Sequence, residues 1–136
     1  MAYPDVEEAV RDYLEDQNEF IIGHSNDTLP IYLNEFPTDG EPVSVMVRES
    51  SGFAWLDLPI VQPQIQIWAR ALTPENAKLI LSRIFELLDK FGPYALNDDV
   101  YCYNMRLNTN RQRMDDPGNA KLAQYFMIFD MIVREC

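Results

Sequence analysis

The side chains that could carry out chemistry are few and scattered along these 136 residues. His24 is the single imidazole. It stands in the polar stretch Gly23-His24-Ser25-Asn26-Asp27, and the chain holds no Gly-x-Ser-x-Gly or cysteine-bearing elbow to act as its nucleophile. A nucleophile-and-base pair therefore has no support, and His24 reads as an exposed turn histidine. Asp98-Asp99 and Asp115-Asp116 offer oxygen ligands of the kind that hold magnesium or calcium. The first pair sits just before a predicted strand and the second just before Pro117-Gly118, so ordinary turn chemistry accounts for both. Cys102 and Cys136 lie far apart and in no CxxC or Cys/His metal spacing. The glycines, at 23, 40, 52, 92 and 118, never fall at phosphate-loop or dinucleotide-loop spacing. The expectation is a chain without catalytic residues, metal or cofactor.

Charge carries more information. Twenty-two acids against 11 bases give a formal charge of −11, which opposes the phosphate contacts and counterion release that a tight nucleic-acid binder needs. Within residues 1–20, Asp5, Glu7, Glu8, Asp12, Glu15, Asp16 and Glu19 face only Arg11. That reads as a solvated face or as a repulsive or docking surface. Arg106, Arg111 and Arg113 form the one basic stretch, closely followed by Asp115 and Asp116. It is a poor nucleic-acid patch; it reads as solvated loop charge or as part of a protein interface, for which arginine suits because it pairs bidentately with carboxylates. Asp130 lies between Ile128 and Ile132 on one strand face and is costly to bury alone. Either Arg70 or Arg106 on a neighbouring strand satisfies it, or that face is exposed. Arg106, Arg111, Arg113, Asp115, Asp116 and Asp130 are thus the interface candidates.

The elements that must position these residues follow from periodicity. Val6, Ala9, Val10, Tyr13 and Leu14 form one helical stripe, which predicts an acidic helix over about residues 4–17. Residues Phe20 to Pro42 are short and broken, fitting brief edge strands at Phe20-Ile21-Ile22 and Ile31-Tyr32-Leu33. Val43, Val45 and Val47 alternate with polar residues as a half-buried strand, which Ser50-Ser51-Gly52 should close with a turn. Ile65, Ile67, Ala69 and Ala71 line one face of a long strand, and Pro59 and Pro63 point to an edge or a bulge in it. Thr73 and Pro74 then open the main helix, over about 74–91, whose stripe is Ala77, Ile80, Leu81, Ile84 and Leu88 and which Gly92-Pro93 ends. A strand from Val100, a long polar loop over about 108–121, and a closing strand from Leu122 to Arg134 complete the chain. The closing strand is apolar on both faces, as a central or subunit-covered strand would be. The pattern predicts one α+β domain over 1–136, with an antiparallel or mixed β-sheet and two main helices packed on one face. No run approaches the roughly 20 apolar residues that span a bilayer, and the acidic start differs from a signal or transit peptide. A cytoplasmic chain with reduced thiols is expected, no membrane being involved, although pairing of the two cysteines stays open.

Taken in order, the acidic helix, the strand "PQIQIWARA", the helix opening "TPENAKLILSRIFELL" and the closing strand "AQYFMIFDMIVR" resemble the tail terminator and minor capsid (head–tail joining) proteins of long-tailed bacteriophages. The resemblance covers nearly the whole chain and rests on order and spacing. It implies a structural protein of the virion, assembled in the host cytoplasm into a homo-oligomeric, typically hexameric, ring. Such a ring caps the tail tube, stops its polymerisation and docks to the head connector, while DNA transits the lumen without specific binding. The acidic balance fits a channel that a polyanion slides through, and a head-to-tail ring needs heterologous interfaces. A head-side neck or head-completion protein is the alternative, and a non-viral α+β enzyme subunit or regulatory domain is the second.

Overall fold

The computed structural model describes residues 5–22, 29–37, 40–54, 60–116 and 121–135. Helix α1 (Val6–Asp16) forms where the stripe predicts it: Val6, Ala9, Val10 and Leu14 are all buried. Asp5 caps its first turn by accepting the Glu8 amide at 3.1 Å, and Glu7 and Glu8 lie at the positive end of its dipole. Helix α3 (Pro74–Leu88) begins at Thr73, whose hydroxyl accepts the Asn76 amide at 3.2 Å. Its residues Leu81, Ile84 and Leu88 are fully buried, each contributing about 1.5–3 kcal/mol of apolar transfer.

Between these helices the broken region departs from expectation. Phe20-Ile21-Ile22 is not an edge strand but the end of a short helix, α2 (Asn18–Ile22). Its β-branched residues are held helical by contacts at both ends: Arg83 of α3 donates to the Ile21 carbonyl at 2.9 Å, and Asn18 Oδ1 accepts the Leu29 amide at 2.7 Å. Tertiary hydrogen bonding outweighs a propensity of a few tenths of a kcal/mol.

Six strands make one mixed sheet: β1 (Ile31–Leu33), β2 (Ser44–Ala54), β3 (Ile60–Ala71), β4 (Tyr94–Ala95), β5 (Val100–Arg113) and β6 (Ala123–Glu135), in the order β1-β2-β3-β6-β5-β4. β1 runs parallel to β2, and every other pairing is antiparallel. β2 does not stop at Ser50-Ser51-Gly52; a register shift between Glu49 and Ser51 absorbs that break and the strand runs on. Pro63 does not make β3 an edge; of the two alternatives the bulge is found, the Glu49/Ser51 register shift lying opposite Ile65 and Gln64, while Pro59 lies outside the described residues. Pro63 sits opposite Gly52, in a gap of the β3–β6 ladder between Val61 and Gln64, where its missing N–H costs no bond. β6 is central, flanked by β3 and β5, with its odd residues in the main core and Phe126 in a second, smaller apolar cluster. The long loop expected over 108–121 is shorter: β5 continues to Arg113, with register shifts between Leu107 and Gln112 that let a polar sequence stay in the ladder.

The odd-numbered residues of β3 and β6, among them Ile65, Ile67, Met127, Phe129 and Met131, share one core cluster with the stripes of α1 and α3. α1 packs against β1, β2 and β3, and α3 against β3, β5 and β6. Three helices, rather than two, therefore accompany the sheet. Gly92 returns the chain from α3 to β5 at φ +114°, and a Cβ there would collide with the Tyr103 carbonyl, so only glycine fits. No helix among the described residues is long and apolar enough to cross a membrane.

Candidate functional site

The even-numbered residues of β3 and β6 face away from the helices and build a second surface. At one end Trp68 stacks on Phe126, ring centroids 4.7 Å apart and planes inclined at 23°. Met46 completes a small apolar cluster with them, flanked by Tyr32, Phe36 and Ile128. The segment after β1 folds over this end. Arg70 is 5% exposed, lies 4.4 Å from the Phe36 ring centre and donates to the Glu41 carbonyl at 2.8 Å, while the Tyr32 hydroxyl accepts the Glu41 amide at 3.1 Å. Arg70 is thus used in fastening this cover and does not meet Asp130.

Beyond the cover the face is open. Asp130 is exposed and accepts from Gln64 Nε2 at 2.8 Å and Asn108 Nδ2 at 2.9 Å. Arg106 stands directly opposite Asp130 in the β5–β6 register, exposed and not ion-paired with it. Of the readings open for Asp130, the exposed face is the one found, with amides rather than a guanidinium satisfying the carboxylate. Arg48 donates to Gln66 Oε1 at 3.0 Å, an oxygen that also accepts Trp68 Nε1 at 3.1 Å. Arg134 lies 4.7 Å from the Tyr101 ring centre and 6.0 Å from that of Tyr103. Arg48, Arg106 and Arg134 have no carboxylate partner among the described residues, where the ion pairs belong to Arg11 and Arg113. In a chain of net charge −11, this open area therefore carries, among the described residues, three guanidinium groups against the carboxylate of Asp130.

The other interface candidates lie elsewhere. Arg111 turns to the helix side, where its Nη1 donates to Ser82 Oγ at 3.0 Å and, more weakly, to the Lys78 carbonyl at 3.4 Å. It borders a groove of about 290 Å³ with Phe85, Glu86, Leu107 and Met127. Arg113 donates to Asp115 Oδ2 at 2.9 Å, and Asp115 Oδ1 accepts the Gln124 amide at 3.0 Å, which fastens the β5–β6 turn. The Gln124 amide, and then Arg113, hold the Asp115 carboxyl below the usual aspartate range, and Asp115 in turn raises the Arg113 guanidinium. The basic stretch is therefore split between faces, because the register shifts in β5 put Arg106 opposite Asp130 and Arg113 opposite Tyr125. Asp116 is exposed beside them.

The remaining chemical candidates do not assemble. Asp98 and Asp99 are exposed in a turn that Asn97 Oδ1 holds by accepting the Asp99 and Val100 amides, each at 2.9 Å. Among the described residues no three acidic, histidine or cysteine side chains gather to hold a metal ion. Cys102 is buried and free, its thiol pushed up to about 12 by burial, which leaves little thiolate to react. His24 and Cys136 lie outside the described residues. Sequence reasoning did not find the Trp68–Phe126 stack or the Phe36 cover. Trp68 and Phe126 stood on outward positions, which signals a second apolar surface, but Phe36 lies in a stretch without period.

No protein-family model and no curated protein matches the chain. Among solved structures, a chain from the "Virion of native gene transfer agent (GTA) particle" has the same fold, with a TM-score of 0.69 over 95% of this chain and 94% of that one, at 12% identity. At that identity the likeness establishes the fold.

Proposed function

We propose that this chain is a structural protein of a phage-like virion, acting at the head–tail junction as a ring of the tail-terminator kind. The observation that carries this reading is the fold it has in common, over nearly the full length of both chains, with a component of a gene transfer agent virion. Its partners are then further copies of itself in a hexameric ring, the tail tube protein whose growth the ring stops, and the head connector. DNA passes through the lumen without being held, as the charge of −11 favours. Interface residues come from Arg106 and Asp130 on the open sheet face and from Arg111, Arg113, Asp115 and Asp116 at the β5–β6 end. A head-side neck or head-completion role is the second reading, favoured by the fact that the matched particle is a whole virion rather than an isolated tail.

Size exclusion with light scattering, followed by negative-stain microscopy of the purified chain, tests the reading. Closed rings that bind tail tubes and arrest their growth are expected. Rings that bind only filled heads would move the protein to the neck, and a monomer at every concentration that caps nothing would overturn both roles.

A further inference from the structure

We infer that copies of this chain associate head to tail, the acidic outer face of α1 on one copy docking on the arginine-bearing, helix-free sheet face of the next. The inference rests on the ring reading above and adds which surfaces meet.

Charge is segregated across the sheet. Arg11, the only base in α1, lies 3.3–3.8 Å from carboxylate oxygens of Glu8, Asp12 and Glu15, so its charge is already shared among three acids. Asp16 and Glu19 extend the same side of the chain, exposed and without a cationic partner among the described residues. On the opposite side of the sheet, Arg48 and Arg106 are exposed and have no carboxylate partner among the described residues. Asp130 turns its carboxylate oxygens to the Gln64 and Asn108 amides rather than to Arg106; these neutral donors leave its charge in place, but the described guanidinium groups of the face outnumber it. A surface with an excess of carboxylates and a surface with an excess of guanidinium groups are complementary, and such pairing sets orientation and suppresses wrong partners.

Geometry then fixes the mode of assembly. α1 packs on the helix side of β1, β2 and β3, so the two surfaces lie on opposite sides of one sheet and cannot meet within a chain. Each copy offers one and accepts one, which is the heterologous contact from which rings are built. Half-buried Ile128 and Ile132, with the exposed Tyr103, give the sheet face apolar area for the centre of the contact.

Two charge-reversed variants test the assignment: Arg48→Glu with Arg106→Glu on the sheet face, and Glu8→Lys with Glu15→Lys on α1. All four positions are exposed or surface-facing, and urea midpoints compared with the parent check that each variant folds. Each variant alone is expected to run as a monomer by light scattering. Their equimolar mixture is expected to regain the parental mass, because each reversed sheet face then meets a reversed helix and each unreversed face an unreversed one. If the parent assembles and both variants assemble equally well alone, the surfaces are wrongly assigned while the ring reading stands. If the parent never assembles, both fall. A third arm titrates a duplex DNA fragment: retention by the parent that the arginine variant alone loses, with assembly unchanged, would make the face a nucleic-acid surface and overturn the inference.

Discussion

The two faces of the sheet are made from alternate residues of the same strands and yet are built on different principles. On the helix-covered face, Ile65, Ile67, Phe129 and Met131 are at most 1% exposed and belong to one apolar cluster. On the other face, one end is closed by the Trp68–Phe126 stack and the Phe36 cover, and the rest displays Gln64 hydrogen-bonded to Asp130, Arg134 stacked on Tyr101, and the exposed Arg106. The first face is stabilised by area removed from water, the second is ordered by directional contacts and leaves its charges available. What the contrast teaches is where each kind of substitution should be felt: in stability on one face, in association on the other.

The largest expected effect separates the faces outright. Phe129→Ala should lower unfolding free energy by about 3–5 kcal/mol, and Ile132→Ala on the open face by about 1 kcal/mol or less, measured by urea denaturation. Equal losses would mean the open face is as much core as the covered one. At the seam where α3 returns to the sheet, Gly92→Ala should cost more than about 1 kcal/mol, since the left-handed conformation and the Tyr103 carbonyl both exclude a Cβ. The small apolar cluster can be sharpened with a double-mutant cycle: Trp68→Leu and Phe126→Leu should couple by about 0.5–1.5 kcal/mol, the range for stacked rings. Zero coupling would reduce the stack to mere proximity. The smallest effect is electrostatic. Because the Asp115 carboxyl is held below its ordinary range, its ionised form favours the fold at neutral pH, and that advantage disappears as pH falls through the folded-state value. The difference in urea midpoint between parent and Asp115→Asn should therefore shrink steadily on acidification below the ordinary aspartate range.

Much of the covered face was legible in the sequence, because burial on one side imposes a period. The α3 stripe from Ala77 to Leu88, the Thr73 cap and the alternation of Ile65, Ile67 and Ala69 all name their own faces. The two-faced composition of Tyr125 to Val133 pointed to a central or a subunit-covered strand, and β6 is central in the sheet. The failures lie where tertiary contacts decide. Phe20-Ile21-Ile22 has strand composition and is helical because Arg83, distant in sequence, reaches its carbonyl. Asn108 to Arg113 has loop composition and is strand because register shifts accommodate it. The open face was only partly visible: Asp130 stood out as an acid on an apolar strand face, but its partners Gln64 and Asn108 depend on cross-strand register. The apparent unity of Arg106, Arg111 and Arg113 dissolved for the same reason.

The central claim is that the open face meets the α1 face of another copy. Single cysteines placed at Glu15 and Arg106 in one chain, in a Cys136→Ser background, test it most directly, since the buried Cys102 thiol stays silent and the two new thiols lie on opposite sides of the sheet. Mild oxidation of the assembled protein should give a ladder of disulfide-linked multimers on non-reducing gels, ending at the size of the ring, with neither single-cysteine chain giving more than dimers. A parent that assembles while the double-cysteine chain gives no ladder would contradict the account.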